Sequence, residues 1–329
     1  MAEKSYSATL PVGLEVVDAH CHLAWEHCVP PAFIQGALDN LLSGIAARRS
    51  NFSRSAILDR FLGMMQDPHA DGLVRSMREA GIVRSNLLVP DMTYALPNSK
   101  YTIEELLIHH HQVAQRHPGM FELFAGVDPR WGADGIALFE RAVSELGYRG
   151  LKVYPPCGFD PSHDSMFPYY EICAAKGFPV LVHIGPTSPA LSFSTSHPLH
   201  LDRACQSFPN VNFILGHGAA SFATDCIALA AFRPNVFIEL SGIQSVGSLP
   251  AAVAKLRPLF ERGLNHKILF GSDFPVFQVP LGELAAAVFD ERGPLSDASE
   301  ADVRLVASGN VRRLWRSADP QPSLAFEAG

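Results

Sequence analysis

Val16-Val17-Asp18-Ala19-His20-Cys21-His22-Leu23 is the stretch that decides the fold of this chain. Val16 and Val17 favour a buried strand, and polar residues follow where such a strand would end. Because side chains alternate along a strand, we predict that His20 and His22 point the same way, with Asp18 on their face and one step deeper. Two imidazoles in this arrangement can reach one cation, whereas two loop histidines that bind nothing are the alternative.

Seven more short apolar runs follow at even intervals, and helical patterns separate them. The runs are residues 86–90, 121–127, 150–154, 179–183, 211–217, 236–240 and 267–271. Strands that alternate with helices form parallel sheets, and eight in one even series predict an α/β fold, a closed (β/α)8 TIM-type barrel. An open, doubly wound sheet is the rival architecture.

The chain reads as one unit with a long insertion. No change of composition marks a linker, so we expect a single domain over residues 1–329 with its core at about 15–316. Residues 24–68 are too many for an ordinary strand-to-helix loop. We therefore expect this segment, inserted after the first strand, to contain helices and to cover the mouth of the barrel.

Composition excludes several classes of partner. Of the 329 residues, 47% are hydrophobic, which is ordinary for a globular protein, and the formal net charge is −7. This charge argues against nucleic acid or an anionic membrane, and no apolar run approaches the roughly 20 residues of a membrane helix. Six cysteines without a CxxC pair, and a start unlike a signal peptide, lead us to expect a cytoplasmic protein. Its expected partner is a small-molecule substrate, and self-association is left open.

Polar side chains close the apolar runs at one end of the predicted barrel. They are His20 and His22, Lys152, His183, His217 and Asp273, after the first, fourth, fifth, sixth and eighth runs. Active sites of such barrels lie at the C-terminal ends of the strands, so these groups are predicted to meet. Imidazoles and a carboxylate suit a divalent metal. His109, His110 and His111 point in different directions on a helix, so there we expect a solvated face.

In this order, the motifs resemble the amidohydrolase superfamily, and within it the amidohydrolase-related branch that also holds the ACMSD-type decarboxylases. The matching stretches are Asp18-Ala19-His20-Cys21-His22, Gly150-Leu151-Lys152-Val153-Tyr154-Pro155, Val180-Leu181-Val182-His183, Ile214-Leu215-Gly216-His217-Gly218, Leu269-Phe270-Gly271-Ser272-Asp273-Phe274-Pro275 and Gly309-Asn310-Val311-Arg312-Arg313-Leu314. They extend from about residue 15 to 316, so the resemblance covers nearly the whole chain.

The resemblance implies a divalent metal, most often zinc, at the mouth of the barrel. In a single-metal site, which we favour, the ligands would be His20, His22, His183 and Asp273. Asp273 would also take the proton from a metal-activated water, and His217 would act beside the metal as a second catalytic residue.

Lys152 leaves the number of metals open. Many amidohydrolases carry a carboxylated lysine at this place that bridges two metals, and Lys152 and His217 would then both be ligands. The ACMSD-type decarboxylases generally lack this lysine. Otherwise Lys152 is an ammonium group that orients an anionic substrate or pairs with Asp18.

Further residues are candidates for substrate binding. Tyr154 and Arg130 stand at predicted strand ends and are expected to bind a carboxylate or an oxyanion. Trp25 follows the first motif and is expected to line the mouth, and Ser241 is expected to donate a hydrogen bond in the pocket.

Three functions remain at this point. The first is a metal-dependent hydrolase that uses a metal-activated water on an amide, lactone or ester of a small carboxylated or aromatic compound. The alternative is a metal-dependent non-oxidative decarboxylase of the ACMSD type. The third, a barrel that binds a ligand without reaction, is disfavoured because ligand-type residues stand at every expected position.

Overall fold

Eight parallel strands follow one another in chain order around a single sheet in the computed structural model, which describes residues 10–46, 53–245, 248–277 and 279–315. The strands are β1 (Val16–Cys21), β2 (Ile82–Val89), β3 (Phe121–Gly126), β4 (Tyr148–Val153), β5 (Val180–His183), β6 (Phe213–Gly216), β7 (Val236–Glu239) and β8 (Ile268–Leu269). With helices between the strands, this confirms the predicted (β/α)8 barrel and excludes the open sheet.

Helices cover the outside of the barrel. They are α1 (Pro31–Ala46), α2 (Arg54–Gly63), α3 (Asp71–Glu79), α4 (Ile103–Arg116), α5 (Ala133–Glu145), α6 (Phe167–Lys176), α7 (Asp202–Ser207), α8 (Ala223–Phe232), α9 (Leu249–Ala254), α10 (Arg257–Phe260), α11 (Leu281–Phe289), α12 (Glu300–Arg304) and α13 (Asn310–Trp315). Local sequence sets several of their ends. Thr102 and Glu105 form a capping box at the start of α4, and left-handed Gly81 follows α3. Each described helix is too short or too polar to cross a membrane.

The seam between β1 and β8 closes the barrel. β8 pairs with β7 over only two residues, which is shorter than the predicted run of 267–271. Beyond it the chain leaves regular strand geometry but still bonds to β1. Ala19 N donates to Phe270 O at 2.8 Å, and Asp273 N donates to His20 O at 2.7 Å. The backbone of the mouth therefore completes the ring.

Apolar side chains fill the half of the barrel interior nearer the N-terminal ends of the strands. One cluster draws on seven strands and on α13, which closes the N-terminal end of the barrel, and its members are Val17, Ala19, Leu88, Phe124, Leu181, Ile214, Phe237, Leu269, Val311 and Leu314. The remaining strand, β4, contributes Gly150, where a side chain would collide with the ring of Phe124. Because this cluster fills the interior towards the N-terminal end, the polar side chains of the barrel interior lie at the C-terminal ends of the strands.

A bulge in β1 turns the histidines into the barrel. The register against β2 shifts between Asp18 and Cys21, where β1 carries one extra residue. Val17 and Ala19 belong to the interior cluster, so regular alternation would send His20 outward. The extra residue shifts the inward and outward alternation of side chains by one position, so the side chain of His20 points into the barrel. The prediction that Asp18 shares the face of His20 is therefore wrong, because the bulge separates them.

The three consecutive histidines of α4 each donate to a different backbone carbonyl. His109 bonds Pro68 O, His110 bonds Leu106 O and His111 bonds Leu146 O, each at 2.7 Å. His110 is buried, so the expectation of a solvated face is wrong for this residue.

Candidate metal centre

Three side-chain atoms of the types that bind metal ions meet at the mouth of the barrel. His20 Nε2 and His22 Nε2 are 3.2 Å apart, and each lies 3.4 Å from Asp273 Oδ1. The two histidines come from the end of β1, and Asp273 comes from the turn after β8. Sequence reasoning predicted all three, and the seam between β1 and β8 is what brings them together.

Hydrogen bonds fix where the two histidines carry their protons. His20 Nδ1 lies 2.8 Å from the carboxylate of Glu239, and His22 Nδ1 lies 3.0 Å from Leu88 O. Because these oxygens accept, each Nδ1 carries the hydrogen and each Nε2 presents a lone pair. Two lone pairs and a carboxylate oxygen then face one another without a proton between them. A cation stabilises such a set, and two imidazole nitrogens with a carboxylate oxygen fit a divalent metal.

Asp18 holds the backbone on both sides of this group. Its carboxylate accepts from Ser272 N at 2.9 Å, from Ser272 Oγ at 2.6 Å and from His20 N at 3.0 Å. Burial raises the pKa of Asp18 to about 6, and these hydrogen bonds oppose the rise. The hydrogen bonds from Ser272 to Asp18 support the neighbouring Asp273, which has a left-handed backbone with φ of 53°. Such a conformation is costly for a residue with a side chain, so the surroundings must impose it.

Glu239 is a functional candidate that sequence reasoning missed. It is the last residue of β7, it is fully buried, and its carboxylate accepts from His20 Nδ1, His217 N, Ser241 N and Ser241 Oγ. Burial raises the pKa of Glu239, whereas the hydrogen bonds that Ser241 and His217 donate to it oppose the rise and favour the charged carboxylate. A signal was present, since Glu239 is the one charged residue in the apolar run 236–240.

His217 and His183 lie beside the three-atom group. Their ring centroids are 4.7 Å apart, and the ring of His217 is 4.6 Å from that of His20. Burial lowers the pKa of His183 to about 3 and holds the pKa of His217 well below its usual value, so both are neutral. His183 Nε2 lies 3.3 Å from Pro186 O. The role of His183 as a fourth ligand stays a prediction.

Lys152, the penultimate residue of β4, is a buried amine. Its Nζ lies 3.4 Å from His20 Nε2, and the residue is 1% exposed. Burial lowers the pKa of Lys152 to about 8, while the charges of Asp273 and Glu239 oppose the shift. The suggested pairing with Asp18 has no support, because the carboxylate of Asp18 is bonded to Ser272 and to the His20 amide.

The remaining candidates have firm structural partners. Tyr154 packs its ring 4.5 Å from that of His183, and its hydroxyl bonds Thr187. Arg130 forms two bonds to Asp128 and one to Cys157 O.

Trp25 and Ser241 complete the set of expected substrate contacts. Trp25 packs against Tyr101 and, at 4.5 Å between ring centroids, against His109 of α4. Ser241 is fully buried beside Glu239. Contact of these residues with a substrate stays a prediction.

Part of the 24–68 segment contacts the loop that follows β5. Ser188 Oγ donates to Phe33 O of α1 at 2.7 Å, and a side chain at Gly36 would collide with Ser188. Residues 47–52 of this segment lie outside the described residues. The described contacts place α1 against a loop that begins one residue after His183.

Solved structures share the barrel. An uncharacterized TIM-barrel protein from Bordetella bronchiseptica has a TM-score of 0.65 and 18% identity, over 92% of this chain and 98% of that chain. The 5-carboxyvanillate decarboxylase LigW from Sphingomonas paucimobilis has a TM-score of 0.62 and 17% identity, over 92% and 99% of the two chains. A dihydroxybenzoic acid decarboxylase from Polaromonas sp. JS666, with bound manganese and the inhibitor 2-nitroresorcinol, has a TM-score of 0.60 and 17% identity, over 95% and 100%. At this identity the likeness establishes the fold.

Comparison of sequences finds one curated relative and one family. Protein fluG of Emericella nidulans is 26% identical over 95 residues, which are 29% of this chain and 11% of that protein. The match thus spans about a tenth of the length of this curated relative. A family model described as amidohydrolase matches residues 17–317, from β1 to beyond α13. The chain therefore belongs to the amidohydrolase family.

Proposed function

We propose that this protein is a metal-dependent, non-oxidative decarboxylase of a small aromatic carboxylic acid. Sequence reasoning favours hydrolysis and keeps decarboxylation as the alternative. The structural comparisons favour the alternative, because they include decarboxylases of 5-carboxyvanillate and dihydroxybenzoate that share the whole barrel.

One observation carries the proposal: a buried amine lies beside the three metal-binding atoms. Lys152 Nζ is 3.4 Å from His20 Nε2. A carboxylate would be held there by the bound metal ion and by a hydrogen bond from the amine, and hydrogen bonds to a charged group are the strong ones. A bound divalent metal would hold the carboxylate with a neighbouring oxygen and withdraw electron density from the ring. Lys152 would fix the orientation of the acid.

The reaction consumes one proton, which the protein must deliver to the ring carbon. When the bond between ring carbon and carboxylate breaks, carbon dioxide leaves and the electron pair stays on the ring carbon. That carbon then takes a proton to form the product. We assign the delivery of this proton to His217, which is buried and has its Nδ1 engaged with Ser241 at 2.8 Å. Its neutral imidazole takes a proton from water at Nε2 and passes that proton to the ring carbon of the substrate, so His217 ends in its neutral form.

We propose one metal per chain, held by His20, His22 and Asp273 with His183 as the fourth ligand. Zinc is the expectation from sequence, whereas the Polaromonas structure contains manganese. Both metals accept histidine and carboxylate ligands. Emission spectrometry of the purified protein distinguishes them.

Hydrolysis at a two-metal site is the second candidate. The observation that favours it is the group formed by Lys152, His183 and His217, whose side chains are all buried together beside the three-atom site. These are the groups that a second metal would use if Lys152 were carboxylated.

The test measures metal content and reaction in parallel. Purified protein is offered hydroxylated benzoates, with carbon dioxide release as the readout, and lactones, esters and amides, with acid release as the readout. We expect carbon dioxide only. His22→Ala should lower metal affinity at least about tenfold and the rate about 100-fold or more, because it removes a ligand. His200→Ala, at an exposed histidine paired with Asp160, is the matched control and should change neither.

Two results would reject the proposal. Acid release without carbon dioxide release would establish the hydrolase in its place. Unchanged metal content in His22→Ala would show that the assigned ligand set is wrong.

A further inference from the structure

We propose that Glu239 is a positioning residue that fixes the proton positions of two histidines at once, His20 directly and His217 through the hydroxyl of Ser241. The inference rests on the proposed function, in which His20 binds the metal and His217 supplies the proton. It assigns a task to two residues, Glu239 and Ser241, that neither the motifs nor the comparisons assign.

The direct arm joins Glu239 to His20. The distance from Glu239 Oε2 to His20 Nδ1 is 2.8 Å, and both side chains are fully buried. The carboxylate keeps the hydrogen on Nδ1, so Nε2 must face His22 and Asp273 as a lone pair. A carboxylate on the far nitrogen of a metal-binding histidine orients the ring and strengthens it as a ligand.

The serine arm joins the same carboxylate to His217. Ser241 Oγ donates to Glu239 Oε2 at 2.7 Å, and His217 Nδ1 lies 2.8 Å from Ser241 Oγ. A hydroxyl has one hydrogen to give. Since that hydrogen goes to the carboxylate, His217 must donate its own Nδ1 hydrogen to the serine. The Nε2 of His217 then presents a lone pair, which can accept the reacting proton and pass it on.

Glu239 also holds the backbone that presents His217. The amide of His217 donates to Glu239 Oε2 at 3.1 Å, and the amide of Ser241 donates to Oε1 at 2.5 Å. His217 itself has a left-handed backbone with φ of 64°. Such a conformation persists only where neighbouring groups determine it, and the bond from Glu239 is one of them.

The two arms make separable predictions. The direct arm acts on metal affinity through His20, whereas the serine arm acts on proton transfer through His217. Removing the serine hydroxyl should therefore affect the reaction without affecting the metal. Removing the carboxylate charge should affect both.

The experiment uses Ser241→Ala, Ser241→Thr and Glu239→Gln in the full chain. Three quantities are measured: the dissociation constant for zinc and for manganese, by competition with a chromophoric chelator; the ¹⁵N chemical shifts of the histidine ring nitrogens in ¹⁵N-histidine-labelled protein; and kcat and KM separately. The first two need no substrate. Ser162→Ala is the matched control, because Ser162 is also buried and donates to a carbonyl, that of His200.

We expect Ser241→Ala to keep metal affinity and KM within about threefold of the parent while kcat falls about tenfold or more. One histidine should lose its single Nδ1-protonated signature, and Ser241→Thr should retain it. Glu239→Gln should weaken metal binding by about 10- to 100-fold, as the loss of such partners does elsewhere. Ser162→Ala should change none of these quantities.

Two outcomes would overturn the inference. If Ser241→Ala leaves kcat and every histidine shift unchanged, the serine arm does not exist. If it weakens metal binding as much as Glu239→Gln, the two arms are not separate. A parent protein that releases no carbon dioxide would reject the proposed function, but the metal and ¹⁵N measurements would still test this inference. Should Glu239→Gln fail to fold, the serine variants decide.

Discussion

Lys152 is the residue whose chemical state most affects the reaction. It is an amine held in a buried position, beside three groups that form a candidate site for a divalent cation. Burial favours the neutral amine over the ammonium, and a nearby dication would do the same. Carboxylation would instead give it a negative charge and make it a metal bridge. The free amine and the carboxylated lysine predict different effects of replacing Lys152.

Replacing the amine by an apolar side chain tests which state is present. If Lys152 binds the substrate carboxylate, Lys152→Met should raise KM about tenfold or more, because it removes a charge-assisted hydrogen bond. The metal-to-protein ratio, measured by emission spectrometry, should stay at one. A parent ratio of two that falls in the variant would contradict this and favour the bridged site.

Single residues also show what could be read from sequence. His20, His22 and Asp273 stand out because each follows an apolar run, and the structure brings their donor atoms together. Glu239 is the next-to-last residue of such a run, but a carboxylate there has no spacing motif to distinguish it from an ordinary strand residue. Its role can be inferred only from the structure, in which Glu239 of β7 and His20 of β1 meet inside the barrel. Asp18 was misplaced because no local pattern signals the extra residue in β1.

Helix α4 shows how one element places three like residues in different environments. His109, His110 and His111 are consecutive, so the helical rotation of about 100° per residue separates their rings. His110 is turned into the protein, where burial lowers its pKa to about 4. It must therefore stay neutral for the fold to be stable.

His110 should make the fold sensitive to acid. Its pKa is lower in the folded than in the unfolded chain, so the stabilisation is full above about pH 6.5 and is lost as the pH falls towards 4. Between about pH 7.5 and 4.5, the metal-free parent should lose roughly 2–3 kcal/mol more unfolding free energy than His110→Gln. Urea unfolding at the two pH values measures this difference.

His111→Gln is the control for this comparison. It removes a histidine from the same helix and also a hydrogen bond to a carbonyl, that of Leu146. It should show the acid sensitivity of the parent. Equal acid sensitivity in parent and His110→Gln would mean that His110 accepts a proton in the folded state.

At the scale of the whole molecule, the regular alternation of strands and helices was sufficient to predict the barrel. Alternation is set by local preference and apolar periodicity, which sequence carries directly. The seam between β1 and β8 could not be predicted in this way, because it depends on the geometry of a turn. Residues 267–271 are apolar enough for a longer strand, yet β8 contains only Ile268 and Leu269. The place of α1 against the loop after β5 likewise depends on contacts between distant parts of the chain.

The seam has a consequence for how the molecule opens in solution. The first and last strands are joined by few backbone bonds, and three of them, from the amides of Ala19, His22 and Asp273, run between the segments that carry the proposed ligands. A metal held by both segments would tie them together. The barrel should therefore open at this place most often without metal and rarely with it.

Amide hydrogen exchange, followed by mass spectrometry, makes this opening visible. On addition of zinc or manganese, exchange in peptides over residues 16–23 and 268–275 should slow about tenfold or more beyond any slowing at 121–126, a strand of the same barrel that carries no proposed ligand. Uniform slowing in all three peptides would mean that metal stabilises the barrel as one unit. Slowing confined to the seam would mean that metal loading keeps closed a ring that the backbone alone closes only weakly.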